Sequence, residues 1–190
     1  MASLKANFEE LLTRIRYGRE LQDASFEPVY YLIFHPQEIL DVKRSLPAWT
    51  ARLRNDGWEV HTFSIAEAVA NSLKSAPLRQ IWLRADRQSP QDFGRTNESL
   101  ANALSRGVLQ QQLEETLDQL AGRDKAILLV TDLEALHPYM RIGTIESNLA
   151  GRFTVPTVFL YPGERTGKTR LRFLGFYNED GNYRSVHVGG

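Results

Sequence analysis

Ala126-Ile-Leu-Leu-Val-Thr-Asp-Leu-Glu-Ala-Leu-His-Pro-Tyr139 carries the strongest structural signal in the chain. Ala126 to Val130 is an unbroken apolar run, the pattern of a strand buried on both faces of a parallel sheet. It ends in Thr131-Asp132, so a carboxylate emerges at a strand's carboxyl end, where open α/β sheets gather their ligand sites. The arrangement has the shape of the second acidic motif of a nucleotide-binding core. The rest of the chain decides whether a phosphate grip accompanies it.

Downstream, a helix is expected from about 138 to 150, ended by Gly151, and then a strand from Thr154 to Tyr161 with Pro156 near its start. Arg170–Phe176 and Tyr183–Val188 bracket a polar turn containing Asp180-Gly181, a hairpin signal. Upstream, Leu100, Leu104, Leu109, Leu113, Leu117 and Leu120 mark a long helix, loosened at Gly107 and ended by Gly122. Ser89 to Asn97 is polar and reads as a surface loop, and Pro77 to Asp86 as a short helix. Ser64-Ile-Ala-Glu67 has capping-box spacing and opens a helix over 65–74. Trp58–Phe63 alternates as a strand. Before it, Ile39, Leu40, Leu46, Trp49 and Leu53 fit a helix that Pro47 should kink or split, with Ser45 capping the second half.

Val29-Tyr-Tyr-Leu-Ile-Phe34 is the first buried strand, and Leu4, Phe8, Leu11, Leu12 and Ile15 place an amphipathic helix over 3–23. Such a helix normally packs on its own core, with a partner's groove as the rival use. The order predicts one α/β domain over 1–190: a mainly parallel sheet flanked by helices, with a C-terminal antiparallel hairpin.

Composition sets the outer limits. The 190 residues suit one domain, and 42% apolar with 24% charged residues is ordinary for a globular protein. Lys+Arg and Asp+Glu both number 23, so bulk charge favours neither nucleic acid nor an anionic membrane. DNA contact is expected to be weak or indirect. With no cysteine, disulfides, thiolate zinc sites and cysteine nucleophiles are excluded together. Early acidic residues (Glu9, Glu10, Glu20, Asp23) argue against a signal peptide, and no apolar run approaches a bilayer span. The chain reads as cytoplasmic.

Gly163-Glu-Arg-Thr-Gly-Lys-Thr169 invites comparison with a phosphate-binding loop. Only three residues separate its glycines where that motif needs four, and a strand rather than a helix should follow. A turn joining two strands is the better reading. After the first strand, where such a loop belongs, stands His35-Pro36-Gln37-Glu38, without glycine and with one backbone donor missing. The core is therefore a degenerate nucleotide-binding-like sheet without a phosphate loop, and no cofactor is expected.

His35, Asp132, Glu134 and His137 all fall at strand ends but match no metal-ligand spacing. No G-x-S-x-G elbow exists, and His61 and His187 read as ordinary strand positions. From Arg141 to Arg172, six basic residues (Arg141, Arg152, Arg165, Lys168, Arg170, Arg172) face only Glu146 and Glu164. That local excess is either solvated surface or a contact for phosphates or an acidic partner. Arg170 and Arg172 alternate with apolar neighbours and share one strand face.

Tyr31-Leu-Ile-Phe-His-Pro36, Trp58-Glu-Val-His-Thr-Phe-Ser64, Val130-Thr-Asp-Leu-Glu-Ala-Leu-His-Pro-Tyr-Met140 and Pro156-Thr-Val-Phe-Leu-Tyr-Pro-Gly163 together resemble the BrxB family of BREX bacteriophage-exclusion systems. The resemblance implies a prokaryotic phage-defence protein acting beside a DNA methyltransferase, a large ATPase and the alkaline-phosphatase-type protein PglZ. It transfers no catalytic residue. Two function classes follow: a non-enzymatic assembly subunit with PglZ as partner, or a nucleotide- or nucleic-acid-binding component using Asp132 and the basic surface. For the first, the loops at the strands' carboxyl ends are the expected docking edge. They bring His35, Asp132, Tyr139, Met140, Tyr161, Arg165 and Lys168, several of them types enriched in interface cores or hot spots.

Overall fold

The structure is a computed structural model and describes residues 3–21, 27–181 and 185–190. Three strands with near-continuous apolar sequence form its centre: β1 (Val29–Phe34), β3 (Ala126–Thr131) and β4 (Thr157–Arg165). β1 and β3 are buried along their whole length, as is β4 from Thr157 to Gly163. With β2 (Glu59–Ser64) and β7 (Val186–Gly189) at the edges, the sheet order is β2-β3-β4-β1-β7, parallel throughout. Alternation along each strand divides the core in two. Tyr30, Leu32, Ile127, Leu129, Val158 and Leu160 point to one face, and Tyr31, Ile33, Leu128, Val130, Phe159 and Tyr161 to the other.

Helices cover both faces. On the first lie α1 (Leu4–Leu21) and α2 (Ile39–Asn55); on the second α3 (Ile65–Ser75), α5 (Gly94–Leu104), α6 (Val108–Leu120) and α7 (Ile142–Asn148). α1 spends its apolar stripe on this core: Phe8, Leu11, Leu12 and Ile15 are buried, and Phe8 stacks on Trp49 of α2 at 4.5 Å between ring centroids. The expected helix past Leu21, to residue 23, lies outside the described residues.

Several local expectations change. Pro47 neither splits α2 nor creates a second cap. The helix runs uninterrupted, and the Ser45 hydroxyl instead donates to the Asp41 carbonyl at 2.8 Å. One missing donor is tolerated because Val42, Trp49 and Leu53 hold the helix to the sheet. The leucine-striped segment is two helices, α5 and α6, because Gly107 adopts φ +88°, a left-handed conformation that ends one helix and starts another. α5 begins at Gly94, shortening the expected loop. α4 (Arg79–Gln88) lies before it. Asp132, at φ 60°, turns the chain directly into a 3₁₀ turn at Leu133–Leu136, so α7 starts only at Ile142.

The C-terminal hairpin is present with different partners. β4 runs past the sheet and pairs antiparallel with β5 (Leu171–Phe173), which pairs with β6 (Glu179–Asp180). The last strand, β7, crosses to the far edge and pairs parallel with β1. The Gly163–Thr169 segment is thus the end of a strand and a turn between two strands.

Gly163 is where β4 leaves the sheet for the hairpin. An added Cβ would lie 2.3 Å from the Arg172 carbonyl oxygen and 2.6 Å from the Tyr161 ring. Backbone cannot yield cheaply, so Gly163→Ala should cost about 1–3 kcal/mol in urea unfolding. Gly94→Ala meets no atom within 4 Å and should be neutral or stabilising by about 0.4–1 kcal/mol. Equal stabilities for the two variants would refute this account of the hairpin.

Candidate functional site

The parallel strands place their carboxyl ends on one edge, and the two that matter are β1 and β3. After Phe34 the chain enters a 3₁₀ turn, Pro36–Glu38, capped by His35. Every backbone donor there is spent or absent. The His35 N–H donates to Glu38 Oε2 (3.0 Å), Gln37 N–H to His35 Nδ1 (3.3 Å) and Glu38 N–H to the His35 carbonyl (2.8 Å), while Pro36 has none. A phosphate cradle needs convergent free amides. This turn satisfies its own.

At the end of β3, Asp132 is held from several sides. Its Oδ2 accepts from the Ser64 hydroxyl at 2.7 Å and the Thr131 hydroxyl at 2.8 Å, and its Oδ1 lies 2.7 Å from Lys43 Nζ. The same ammonium sits 2.7 Å from Glu134 Oε1. Burial opposes ionisation of Asp132, but the hydrogen bonds from Lys43, Ser64 and Thr131 outweigh it and hold its pKa below the usual carboxylate value. Burial likewise opposes charge on Lys43, yet Asp132 and Glu134 outweigh it and raise its pKa. The space between Lys43, Asp132, Glu134 and the apolar side chains of α2 is about 10 Å³, near one water molecule. Lys43 on α2 is the member sequence reading missed. Its only signal is a lone lysine on the helix after β1.

The other strand-end residues scatter. His35 caps the turn, and His137, exposed, contacts the Tyr177 hydroxyl through Nδ1. Among the described residues no three His, Asp or Glu side chains are grouped to hold a metal ion. Tyr139 and Met140 are half-buried against the second core. Tyr161 is 1% exposed and packs on Tyr31 and Phe173, so its ring supports the edge from beneath rather than lying on it. Arg165, exposed, donates through Nε to the Gly167 carbonyl, and Lys168 is exposed in the same turn.

The basic run is divided rather than gathered. Arg152 pairs with Glu114 and Asp118, Arg170 with Glu179, and Arg172 with Glu164 and Glu179. Arg141 lies over the Tyr177 ring, 3.2 Å from its centroid. Around that contact the turn after β5 builds an aromatic group that the motif search did not single out: Phe176, 65% exposed, lies 4.6 Å from Tyr177 and 5.5 Å from His137. Its sequence signal is the spacing Phe173-x-x-Phe176-Tyr177. Gly175 brings this turn against Pro36 and Glu164, joining it to the strand-end edge.

Two further groups titrate away from their usual ranges. Burial pushes the Glu146 carboxyl up to about 7, against a hydrogen bond from the Tyr31 hydroxyl and with help from Glu27 and Asp180. Burial, with Arg165 nearby, pushes His187 down to about 4.

A mainly parallel α/β sheet whose phosphate position is closed by its own side chains is the class that fold and site define. The family model described as "BREX protein BrxB" matches residues 62–188, from within β2 to β7. The chain belongs to the BrxB family, and that membership carries a role in BREX phage defence beside other BREX subunits. The match leaves out β1 and its turn, so the part of the resemblance resting on Tyr31–Pro36 lies outside it. No curated protein and no solved structure matches the chain. Among the described residues no helix is long and apolar enough to cross a membrane.

Lys43→Met should leave Asp132 and Glu134 without their shared cation. Because Lys43 is 43% exposed, the loss should be modest, about 1 kcal/mol, and larger at pH 7 than near pH 3. The sign follows from Asp132, whose lowered pKa contributes stability above the unfolded value that is lost as pH falls through the folded one. A cost that grows on acidification would contradict it.

Glu146 and His187 oppose each other. A carboxyl raised to about 7 holds its proton in the fold, so stability falls as pH rises from about 4.5 to about 7. A histidine lowered to about 4 stays neutral in the fold, so stability falls as pH drops from 6.5 towards 4. Glu146→Gln should therefore stabilise at pH 8, by at most about 3 kcal/mol, and leave a stability that rises between pH 5 and 6.5. Melting curves across pH 4–8 check this, and a variant whose profile parallels the parent's would refute it.

Proposed function

We propose that this chain is a non-enzymatic assembly subunit of its BREX system, with PglZ the partner it engages. The observation that carries the reading is the internal closure of the strand-end edge. The amides after β1 are consumed within residues 35–38, and Lys43 occupies the face of Asp132 that a metal-bound phosphate would need. An edge so closed offers shape and side chains rather than reactive groups. It carries Phe176 with Tyr177 and Arg141, beside half-buried Tyr139 and Met140 and exposed Arg165 and Lys168. Aromatic side chains, Met and Arg are enriched in interface cores, and a large exposed aromatic suits an anchor that becomes buried on docking.

Co-purification with PglZ, followed by affinity measurement, tests the reading. Phe176→Ala, Tyr139→Ala and Arg165→Glu are checked for folding by circular dichroism. Loss of a packed anchor should cost about 2 kcal/mol, near thirtyfold in affinity, for at least one of them. Unchanged PglZ binding in all three would remove this edge as the docking site. Separately, ATP with magnesium should leave the parent's melting temperature unchanged. A saturable rise abolished by Asp132→Asn would instead establish a nucleotide-binding component, because a ligand that binds only the folded state must raise it.

A further inference from the structure

An open sheet has two lateral edges, and this one treats them differently. β7 is four residues long and has α1 against it: a Cβ added at Gly189 would lie 2.8 Å from the side-chain nitrogen of Asn7, which is itself buried. β2 is six residues long and pairs with β3 without a bulge, Glu59 opposite Ala126 through Ser64 opposite Thr131. Val60 packs towards the first core and Phe63 towards the second, yet Thr62 between them is exposed.

The direction of each backbone group on β2 is fixed by its pairing. Both polar groups of a strand residue point to one side, and successive residues alternate. The Glu59 N–H donates to the Lys125 carbonyl at 2.8 Å, so Glu59, His61 and Phe63 face β3. Val60 and Thr62 therefore direct two N–H and two C=O groups outward, while Ser64, next in that set, caps α3. Among the described residues no other group bonds to those four. Folded proteins blunt such edges with proline, lysine, a bulge or a covering element. β2 has no proline, lysine or bulge, and its one carboxylate, Glu59, stands at its start.

We infer that β2 pairs antiparallel with β2 of a second copy of this chain, about a two-fold axis at His61, joining two sheets into one. The occupant follows from the groups it must meet, since outward N–H and C=O groups are matched by another extended backbone. The register follows from satisfying all four: Val60 facing Thr62 of the second copy makes two hydrogen bonds, and the two-fold repeats them. The side chains are self-complementary in that register. β-branched Val60 and Thr62 lie opposite each other, Glu59 lies opposite Phe63 rather than another carboxylate, and His61 is the residue that meets its own copy. This goes beyond the assembly reading and does not depend on it, because β2 lies at the side of the sheet whereas Phe176 follows β5.

The chain has no cysteine, so one introduced thiol reports the register. A two-fold at His61 makes it a non-hydrogen-bonded pair with Cα atoms about 4.5 Å apart, within disulfide reach. Under oxidised glutathione, full-length His61→Cys should form a covalent dimer, and Glu67→Cys, exposed on α3, should not. In analytical ultracentrifugation the parent should sediment as a dimer at micromolar concentration. His61→Lys sets two ammonium groups face to face, and Thr62→Pro removes an outward N–H but no bond to β3. Both should sediment as monomers at that concentration, with melting curves reporting folding; if Thr62→Pro unfolds, His61→Lys decides. A monomeric parent, a His61→Lys variant as dimeric as the parent, or Glu67→Cys crosslinking as fast as His61→Cys would each overturn the inference. PglZ binding is measured in parallel and should be the same for parent and His61→Lys. A His61→Lys variant that sediments like the parent but no longer binds PglZ would show that the edge takes a foreign strand, and the inference would be wrong.

Discussion

The pairing of β1 with β4 is the constraint on which the other features depend. Six residues of each strand are in register, Val29 opposite Thr157 through Phe34 opposite Pro162. All twelve are buried. Strands this apolar have no solvated face, so helices must cover both sides. α1 and α2 close one side, and the long segment between β2 and β3, with α7, closes the other. Parallel pairing then sends the turns after β1, β2 and β3 to a single edge. The meeting of Lys43, Ser64 and Asp132 is a consequence of that geometry: one residue follows β1, one ends β2 and one follows β3.

What that edge does is decided by small local choices made on a common framework. A glycine loop after β1 would leave amides free, whereas His35 and Pro36 give a turn that bonds to itself. A carboxylate after β3 could be left to bind a cation. Here Lys43 supplies the cation from within the chain, 2.7 Å from both Asp132 and Glu134. With 43% of the lysine exposed, the bridge is worth little to stability. Its larger effect is occupancy. The place beside Asp132 and Glu134 that a bound cation would take is filled by the chain's own ammonium.

The sheet was legible in the sequence because its signal is local and redundant. Val29–Phe34 and Ala126–Thr131 are too apolar and too short for surface helices, and both were placed within a residue. The cap at Ser64 was legible for the same reason, a side chain three residues from the amide it accepts from. The misses come from competition that sequence alone does not display. Pro47 was expected to kink or split α2, and the split does not occur, because the lost backbone bond competes with the packing of Trp49 and Leu53. Gly107 read as a loosening when its left-handed φ makes it a break. The destination of β7 was not legible, since a parallel partner 156 residues upstream leaves no local trace, whereas a hairpin does. Within the candidate site, Asp132 was found and Lys43 was not. The pair exists only once α2 lies over β3.

The same comparison bears on the surface. In places folding uses up what the sequence offers: α1's stripe is buried, and Arg152, Arg170 and Arg172 of the C-terminal basic run find Glu114, Asp118, Glu164 and Glu179. Against that background, two places stand apart. Phe176 remains 65% exposed although the His137 and Tyr177 rings hold it in place, and on α4 Ile81 stays 62% exposed. Scattered exposed apolar residues need no explanation. Phe176 is different, because rings from two turns, His137 after β3 and Tyr177 after β5, fix an exposed side chain. The two places come from different parts of the chain, one after β5 and one between β2 and β3.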